Sequence, residues 1–343
     1  MTLLAPVPAL STLHLLGQFN AAFTGAEAEL LEIQRLLGDR RHVKVWSEFA
    51  PHTRYAGKGI AAIQPFSHLF PTNGVLLIGG VHIHRPVWLK YTNFERILLF
   101  YNLSSHLPLF NMIAHIRAVS ALEPELVFVS RMLQQSVGLP GRIARSLIHL
   151  QPFLEVGRER LAAGGEPGSA DEAQSPRPFT VGRLSRDAID KHSPDDPVLY
   201  RMLASRGIRV RIMGGTCLAP ALEGVEGIEL LPAGAESASD FYRSLDLFFY
   251  RTGTSIEAYG RVVVEAMAAG LPVIAHRRGG YVEIVDDGVN GFLFRSQEEA
   301  YNRVMFLKAS RAIRLAIGRA AMNGADHLHG SEAIKKELEF YCR

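Results

Sequence analysis

Short apolar segments alternate with longer amphipathic segments along most of the chain. This alternation is typical of a parallel sheet whose strands are joined by crossover helices, so the sequence predicts an α/β fold. In the first half the pattern predicts one clear helix, over residues 25–37. It also predicts strands over residues 12–16, 43–47, 75–78, 97–101 and 126–129. Ligand sites in such sheets lie beyond the carboxyl ends of the strands.

A second series of the same kind has strands predicted over residues 179–182, 210–213, 228–231, 247–250, 273–275 and 292–294. Between the two series lies LAAGGEPGSADEAQSPRP, residues 161–178, which has no apolar periodicity and indicates a linker or a mobile loop. The pattern therefore predicts two similar domains that face each other across a cleft. We place the first domain at residues 1–150, the linker or mobile loop at 151–178 and the second domain at 179–325.

The composition is that of an ordinary globular chain, with 48% apolar and 21% charged residues among 343. This length suffices for two cores of about 150 residues each, and the composition excludes disordered, collagen-like, coiled-coil and disulfide-rich classes. The two cysteines, Cys217 and Cys342, are too few for a metal site or a disulfide framework, which favours the cytoplasm. The apolar N-terminus lacks the basic region of a signal peptide, and no run of 18 apolar residues predicts a membrane span.

The net charge of +3 is too balanced for a chain whose main partner is nucleic acid. The balance hides an asymmetry: residues 1–150 carry 13 Lys and Arg against 8 Asp and Glu, and residues 151–343 carry 24 against 26. Two interpretations stay open. The charges are scattered over solvated surfaces, or the basic half binds an anionic lipid or a phosphorylated acceptor, with peripheral contact at the inner face of a membrane.

The segment EAYGRVVVEAMAAGLPVIA holds the candidate chemistry. It predicts a helix over residues 261–269, which ends at Gly270 and Pro272 and leads into a buried strand. Gly260 permits close backbone approach where this helix begins. Because the first N–H groups of a helix have no partner within it, this point predicts a site for a phosphate.

Two acids flank the predicted phosphate site: Glu257 precedes the helix and Glu265 lies one turn inside it. One carboxylate can bind sugar hydroxyls and the other a ribose diol. The Glu-x7-Glu pattern in this segment resembles the signature of retaining glycosyltransferases with the GT-B fold, in particular glycosyltransferase family 4. The resemblance implies two Rossmann-like domains facing a central cleft, with the acceptor on the first domain and the donor on the second. It implies that Glu257 orients the donor sugar, that Glu265 binds ribose, and that the helix start at Gly260, Arg261 and Val262 binds phosphate.

The segment FTVGRLSRDAIDK resembles the Gly-Arg-Leu-x-x-x-Lys loop that opens the family's donor-binding domain. In the family the arginine and the lysine clamp the diphosphate of the donor, which implies this role for Arg183 and Lys191. Lys191 follows Arg183 by eight residues, more than in the common pattern, and His192 stands where the family often has glycine. Arg186 is therefore an alternative second cation.

Weaker matches occur in the family's order along the chain. The turn IMGGT, with Gly214 and Gly215, resembles the glycine turn near the nucleotide, and IELLPAG, residues 228–234, resembles the strand and loop that read the base. Gly25, at the start of the first long helix, resembles the loop that approaches the diphosphate from the other domain. A final helix within residues 326–343 is expected to pack back towards the N-terminal domain.

The sequence departs from the family at one position. Many members carry a histidine at the end of a mid-domain strand, where it touches the donor sugar or the acceptor. Here the strand over residues 97–101 is followed by Asn102, and the histidines nearby are His82, His84 and His106. An acceptor-side role for one of them stays open, so no catalytic histidine is assigned.

The resemblance implies an enzyme that transfers a sugar from a UDP- or GDP-linked donor to an acceptor hydroxyl with retention, in glycan or glycolipid biosynthesis. No Asp-x-Asp stands between apolar strands, so we predict no metal ion and no cofactor. Two alternatives stay open: a sugar-nucleotide 2-epimerase of the same architecture, and a non-catalytic two-domain ligand-binding protein. The donor sugar and base, the saccharide or lipid-linked acceptor, and the oligomeric state are not determined.

Overall fold

The chain divides into two compact units. The computed structural model describes residues 11–22, 24–80, 83–84, 86–103, 105–163 and 177–342. Unit 1 comprises Met1–Leu147 and Ile334–Arg343, and unit 2 comprises Ile148–Ala333. Each unit is built on a parallel sheet whose strands are joined by helices. The predicted fold class, two Rossmann-like α/β domains, is therefore confirmed.

The described part of unit 1 contains seven strands and three α-helices before the C-terminal helix. The strands are β1 (Leu13–Gly17), β2 (Val43–Ser47), β3 (Ile60–Ala62), β4 (Asn73–Gly79), β5 (Asn93–Tyr101), β6 (Glu125–Phe128) and β7 (Arg142–Ile143). The helices are α1 (Gly25–Leu37), α2 (His106–Val119) and α3 (Arg131–Val137). The sheet order is β3-β2-β1-β4-β5-β6-β7, with parallel pairing throughout. Because helices cover both faces of such a sheet, the central strands β1 and β4 are nearly continuous apolar runs.

The described part of unit 2 contains a sheet of six strands. They are β8 (Thr180–Leu184), β9 (Arg209–Met213), β10 (Ile228–Leu231), β11 (Leu247–Tyr250), β12 (Val273–His276) and β13 (Phe292–Phe294). The helices that follow unit 1 in the chain are α4 (Gln151–Ala163), α5 (Asp196–Ala204), α6 (Ala219–Leu222), α7 (Ala238–Arg243), α8 (Arg261–Ala268), α9 (Gln297–Ala309), α10 (Arg311–His329) and α11 (Ser331–Tyr341). The strand order is β10-β9-β8-β11-β12-β13, again parallel.

The apolar pattern predicts most of these elements. The helix over residues 25–37 is confirmed at both ends, and each predicted strand overlaps an observed strand. The pattern does not predict β3 and β7. These strands are three and two residues long, and their partly or fully exposed positions at the sheet edges carry no apolar periodicity.

The predicted linker over residues 151–178 is corrected in its first half. Residues 151–163 form α4, which belongs to unit 2. Gly157 lets α4 approach α8 closely, because a Cβ at this position would lie 2.5 Å from the Ala268 carbonyl oxygen. Arg160 donates hydrogen bonds to the carbonyls of Tyr242 and Leu245. The segment is a helix because it packs against distant parts of the chain. No local sequence pattern predicts these contacts. Residues 164–176 lie outside the described residues.

The C-terminal helix begins in unit 2, and its residues from Ile334 onward belong to unit 1. Arg142 pairs with Glu337 at 2.8 Å, and Arg41 donates to the carbonyl of Tyr341. Among the described residues, no helix is both long enough and apolar enough to cross a membrane. Both cysteines are free.

Candidate functional site

The candidate site lies in unit 2, where the strand order reverses. The chain leaves β8 towards β9 and β10, then returns to the other side of β8 to form β11. In sheets of this kind ligands bind beyond the carboxyl ends of the two strands at such a reversal. The loop after β8 carries Lys191, and the loop after β11 carries Glu257.

Lys191, Tyr250 and Glu257 form a charged cluster at this reversal. Both the Lys191 Nζ and the Tyr250 hydroxyl donate to Oε2 of Glu257, at 3.0 and 2.8 Å. The two charged side chains are largely buried, with 15% of Lys191 and 23% of Glu257 exposed. Burial alone would raise the pKa of Glu257, but the Lys191 ammonium and these hydrogen bonds outweigh it and hold the pKa below its usual value. Glu257 is therefore an ionised carboxylate next to a cation.

Arg183, at the end of β8, lies beneath this cluster. Its side chain is 1% exposed, and its guanidinium lies over the Tyr250 ring, 5.1 Å from the centroid. Nε donates to Nδ1 of His192, Nη2 donates to the Lys191 carbonyl, and Nη1 is buried without a hydrogen-bond partner. Arg183 therefore supports the backbone that carries Lys191, and its buried Nη1 has no hydrogen-bond partner.

His192 connects the loop after β8 to the glycine turn after β9. Its Nδ1 accepts from Arg183 at 3.1 Å, and its Nε2 donates to the Gly214 carbonyl at 2.9 Å, which requires the neutral imidazole. Gly214 has φ of +80°, and a Cβ there would lie 2.0 Å from the Ser185 carbonyl oxygen, so the turn demands glycine. Gly215 follows in the same buried turn. The unusual His192 thus joins the two loops.

His192 predicts a loss of stability in mild acid. Burial, followed by the charge of Arg183, lowers its pKa from 6.5 to about 4. Below pH 6.5 His192 binds a proton in the unfolded chain but stays neutral in the folded chain. The stability that is present above pH 6.5 is therefore lost as the pH falls towards 4. The shift corresponds to about 3 kcal/mol of unfolding free energy. His192→Gln, which stays neutral, should lack this part of the pH dependence.

Hydrogen exchange of the β8 amides, compared between wild type and His192→Gln at each pH, measures this difference within unit 2. Tryptophan fluorescence cannot serve, because Trp46 and Trp88 both lie in unit 1. His14 in unit 1 also has its pKa lowered to about 4, chiefly by burial, so the wild type alone does not isolate His192. An identical acid profile for the two proteins would contradict the prediction.

Helix α8 completes the site. Gly260 caps its N-terminus with φ of +94°, and a Cβ there would lie 2.8 Å from the Cβ of Tyr281. Arg261 and Val262 form its first turn. Glu265, one turn further, accepts from the Tyr242 hydroxyl at 3.2 Å. Burial raises the pKa of Glu265, against the opposing effects of Arg261 and Tyr242.

The remaining predicted site residues are Arg186 in unit 2 and Gly25, His84 and His106 in unit 1. Arg186 is half exposed and pairs with Asp190 at 3.7 Å, so Lys191 and not Arg186 contacts Glu257. Gly25 begins α1 in unit 1. In unit 1, His84 binds Glu48 at 2.8 Å and His106 binds the Tyr101 hydroxyl at 2.9 Å, while His82 lies outside the described residues.

Sequence reasoning missed two buried tyrosines. Tyr250 holds Glu257, and Tyr242 holds Glu265. Tyr250 is the last residue of a predicted strand, so its position at the ligand edge of the sheet was a usable signal. Tyr242 lies in the short helix α7. Its contact with Glu265 of α8 depends on tertiary packing, so no local sequence signal predicts a role for Tyr242.

Part of the chain matches a known family. Residues 216–323 match the model of the glycosyl transferases group 1 family. Spore coat protein SA of Bacillus subtilis is 33% identical over 85 residues, which are 24% of this chain and 22% of that protein. D-inositol 3-phosphate glycosyltransferase of Streptomyces griseus is 39% identical over 75 residues, which are 22% of this chain and 16% of that protein. The chain therefore spans about a fifth of the length of these two relatives.

The whole chain resembles solved structures at low sequence identity. HepE of Anabaena, in a crystal structure with UDP and glucose, matches with a TM-score of 0.72 at 16% identity, covering 96% of this chain and 99% of that chain. This likeness establishes the GT-B fold. The family match includes Glu257 and Glu265 but begins after Arg183 and Lys191. Residues 216–323 thus match the glycosyl transferases group 1 family, within a chain that has the GT-B fold.

Proposed function

We propose that this chain is a glycosyltransferase that moves a sugar from a nucleotide-diphosphate donor to an acceptor hydroxyl, with retention and without a metal ion. The observation that carries the proposal is the cluster of Lys191, Tyr250 and Glu257 just before the N-terminus of α8. A cation, a helix start and an ionised acid lie together where the fold binds ligands. The group 1 match and the GT-B fold support the same class of enzyme.

In this proposal Glu257 orients the donor sugar. Its Oε2 accepts hydrogen bonds from both Lys191 and Tyr250, which leaves Oε1 for sugar hydroxyls. Because the pKa of Glu257 lies below its usual value, the carboxylate is an acceptor at neutral pH. Glu265 accepts hydrogen bonds from the ribose hydroxyls in the same way, because the Tyr242 hydroxyl donates to Oε2 and leaves Oε1 for ribose.

The leaving diphosphate is stabilised by fixed positive groups. The Lys191 ammonium and the first N–H groups of α8 bind the phosphate oxygens as negative charge develops on them. Arg183 holds the Lys191 backbone and offers Nη1, which has no partner. Retention follows when the acceptor attacks from the face that the diphosphate leaves. The C–O bond to the diphosphate breaks, the bond to the acceptor oxygen forms, and a phosphate oxygen takes the acceptor proton.

The acceptor side of the proposal rests on unit 1. The excess of basic residues in residues 1–150 favours an acceptor that carries phosphate or lies at an anionic membrane surface, as in glycan or glycolipid biosynthesis. We place the enzyme in the cytoplasm, with peripheral contact to the inner membrane face. The comparisons lend no support to the 2-epimerase alternative.

A screen of nucleotide sugars tests the proposed function. A donor at 100 times its dissociation constant should stabilise the folded chain by about 2.7 kcal/mol, which thermal denaturation detects. UDP and UDP-glucose come first, because HepE binds them. The donor that stabilises the chain should also release nucleotide when incubated with acceptor, and the product should keep the anomeric configuration by NMR.

Controls separate the parts of this proposal. EDTA should leave the transfer rate unchanged, and strong inhibition would overturn the metal-free mechanism. Incubation with the nucleotide sugar alone should give no epimer. If no nucleotide sugar stabilises the chain and none is consumed, the proposed function is wrong.

A further inference from the structure

A cavity in unit 2 lies beside the proposed donor site. It has a volume of about 630 Å³ and is lined by the loops that follow β8, β11, β12 and β13. This volume accommodates a ligand the size of a monosaccharide derivative. The cavity and the donor site share loops: Arg278 donates to the Gly253 carbonyl at 3.1 Å, and Gly280 N–H donates to the Glu257 carbonyl at 2.8 Å.

Three arginines from three different loops line this cavity: Arg251, Arg278 and Arg295. Arg251 is buried and pairs with Asp196 at 2.7 Å, so its charge is largely compensated. Arg278 and Arg295 are exposed residues at the cavity and form no ion pair in the described part of the chain. Among the lining residues the carboxylate is that of Asp195, which is 70% exposed and 3.8 Å from Arg251. The cavity therefore carries an excess of positive charge.

Two residues that line the cavity, Thr252 and His276, have a buried polar atom without a partner. Thr252 is 2% exposed, and its hydroxyl has no hydrogen-bond partner. Nδ1 of His276 is likewise buried and unpartnered. A buried hydroxyl without a partner loses the hydrogen bonds it makes in water, so such atoms are rare unless a ligand or water satisfies them. Two such atoms beside uncompensated guanidinium groups indicate a polar, anionic occupant.

We propose that this cavity binds a sugar that carries an oxyanion, either a phosphate monoester or a carboxylate. Arg278 and Arg295 bind the anionic group, since guanidinium matches the geometry of both oxyanions. Thr252 and His276 hydrogen-bond to the same group or to an adjacent hydroxyl. The site goes beyond the proposed function, because it uses neither the Lys191 ammonium nor Glu257. Its occupant is a separate sugar phosphate or the acidic sugar of a donor.

Isothermal titration in phosphate-free buffer at low salt tests the site without any nucleotide. Glucose 6-phosphate and glucuronate should bind wild type, and glucose should not. Arg278→Gln and Arg295→Gln should each raise the dissociation constant at least tenfold, and Thr252→Val, which removes only the hydroxyl, several-fold. Arg251 is left unchanged, because its loss would strand the buried Asp196 carboxylate.

Two control variants locate the binding. Arg206→Gln, an exposed arginine outside the cavity, and Lys191→Ala should both leave these dissociation constants unchanged. Absence of binding to wild type at millimolar concentration overturns the proposal. So does binding that Lys191→Ala weakens and Arg278→Gln does not, because the anion would then occupy the diphosphate site. Since no nucleotide sugar is used, these outcomes are independent of the proposed transfer reaction.

A second arm identifies the source of the anion. If the occupant is a separate sugar phosphate, glucose 6-phosphate should still bind in the presence of saturating UDP. If it is the sugar of the donor, UDP-glucuronate should bind tighter than UDP-glucose, and Arg278→Gln should abolish the difference. If UDP excludes glucose 6-phosphate and the two donors bind equally, the anion site overlaps the nucleotide site and the proposal fails.

Discussion

Glu257→Gln should reduce kcat of sugar transfer about 100-fold, while binding of UDP alone changes little. The amide keeps the shape of the side chain and still accepts the hydrogen bond from Tyr250. It removes the charge that Lys191 faces at 3.0 Å and the ionised oxygen that we assign to the donor sugar. Steady-state kinetics with the donor found in the screen, together with UDP titration, separates the two effects.

A matched control is Glu223→Gln, which removes an exposed carboxylate from the same unit just after α6. Its transfer rate should stay within twofold of wild type. Near-normal transfer by Glu257→Gln would show that the sugar is oriented by other groups, and the assigned site would then be wrong.

Lys191→Ala should lower kcat/KM for the donor about 100-fold, and Arg186→Ala only a few-fold. Lys191 is largely buried against Glu257, where a positive charge acts strongly on a phosphate, whereas Arg186 is half exposed and screened by Asp190 and solvent. Loss of Lys191 also leaves the Glu257 carboxylate without its cation, which raises its pKa. The acid limb of the pH–rate profile should therefore move to higher pH in Lys191→Ala.

The two alanine variants form a pair within one loop, so a general disturbance of the loop would affect both. Thermal denaturation of each variant checks that unit 2 stays folded. If Arg186→Ala loses more activity than Lys191→Ala, the second cation of the diphosphate site is Arg186. An unchanged pH profile in Lys191→Ala would contradict the electrostatic link between Lys191 and Glu257.

Much of the candidate site is predictable because its signals are local. Helix α8 begins directly after Gly260 and ends shortly before Gly270. The apolar run of β11 ends where the site begins. The spacing of Glu257 and Glu265 around a helix start places one acid before the first turn and one within it. Such features depend on backbone conformation over a few residues, so the amino-acid pattern is sufficient.

The partners of these residues are not predictable in the same way. Lys191 and Arg186 are both cations in one loop, and only the pairing of β8 with β11 brings a residue 66 positions away against one of them. The same holds for α4. Its Gly157 packs closely against α8 and its Arg160 donates to a carbonyl of α7, and neither contact is predictable from the local sequence.

The amino-acid sequence by itself determined the α/β class, most of the strands, helices α1 and α8, and the residue types of the candidate site. Apolar periodicity, glycine conformation and helix ends act over short distances along the chain. Only the tertiary structure decided that Lys191 faces Glu257, that Arg183 is buried beneath it, and that Tyr250 and His192 hold the loops. Ion pairs and buried hydrogen bonds depend on which distant loops the sheet order brings together, and local sequence carries no record of that order.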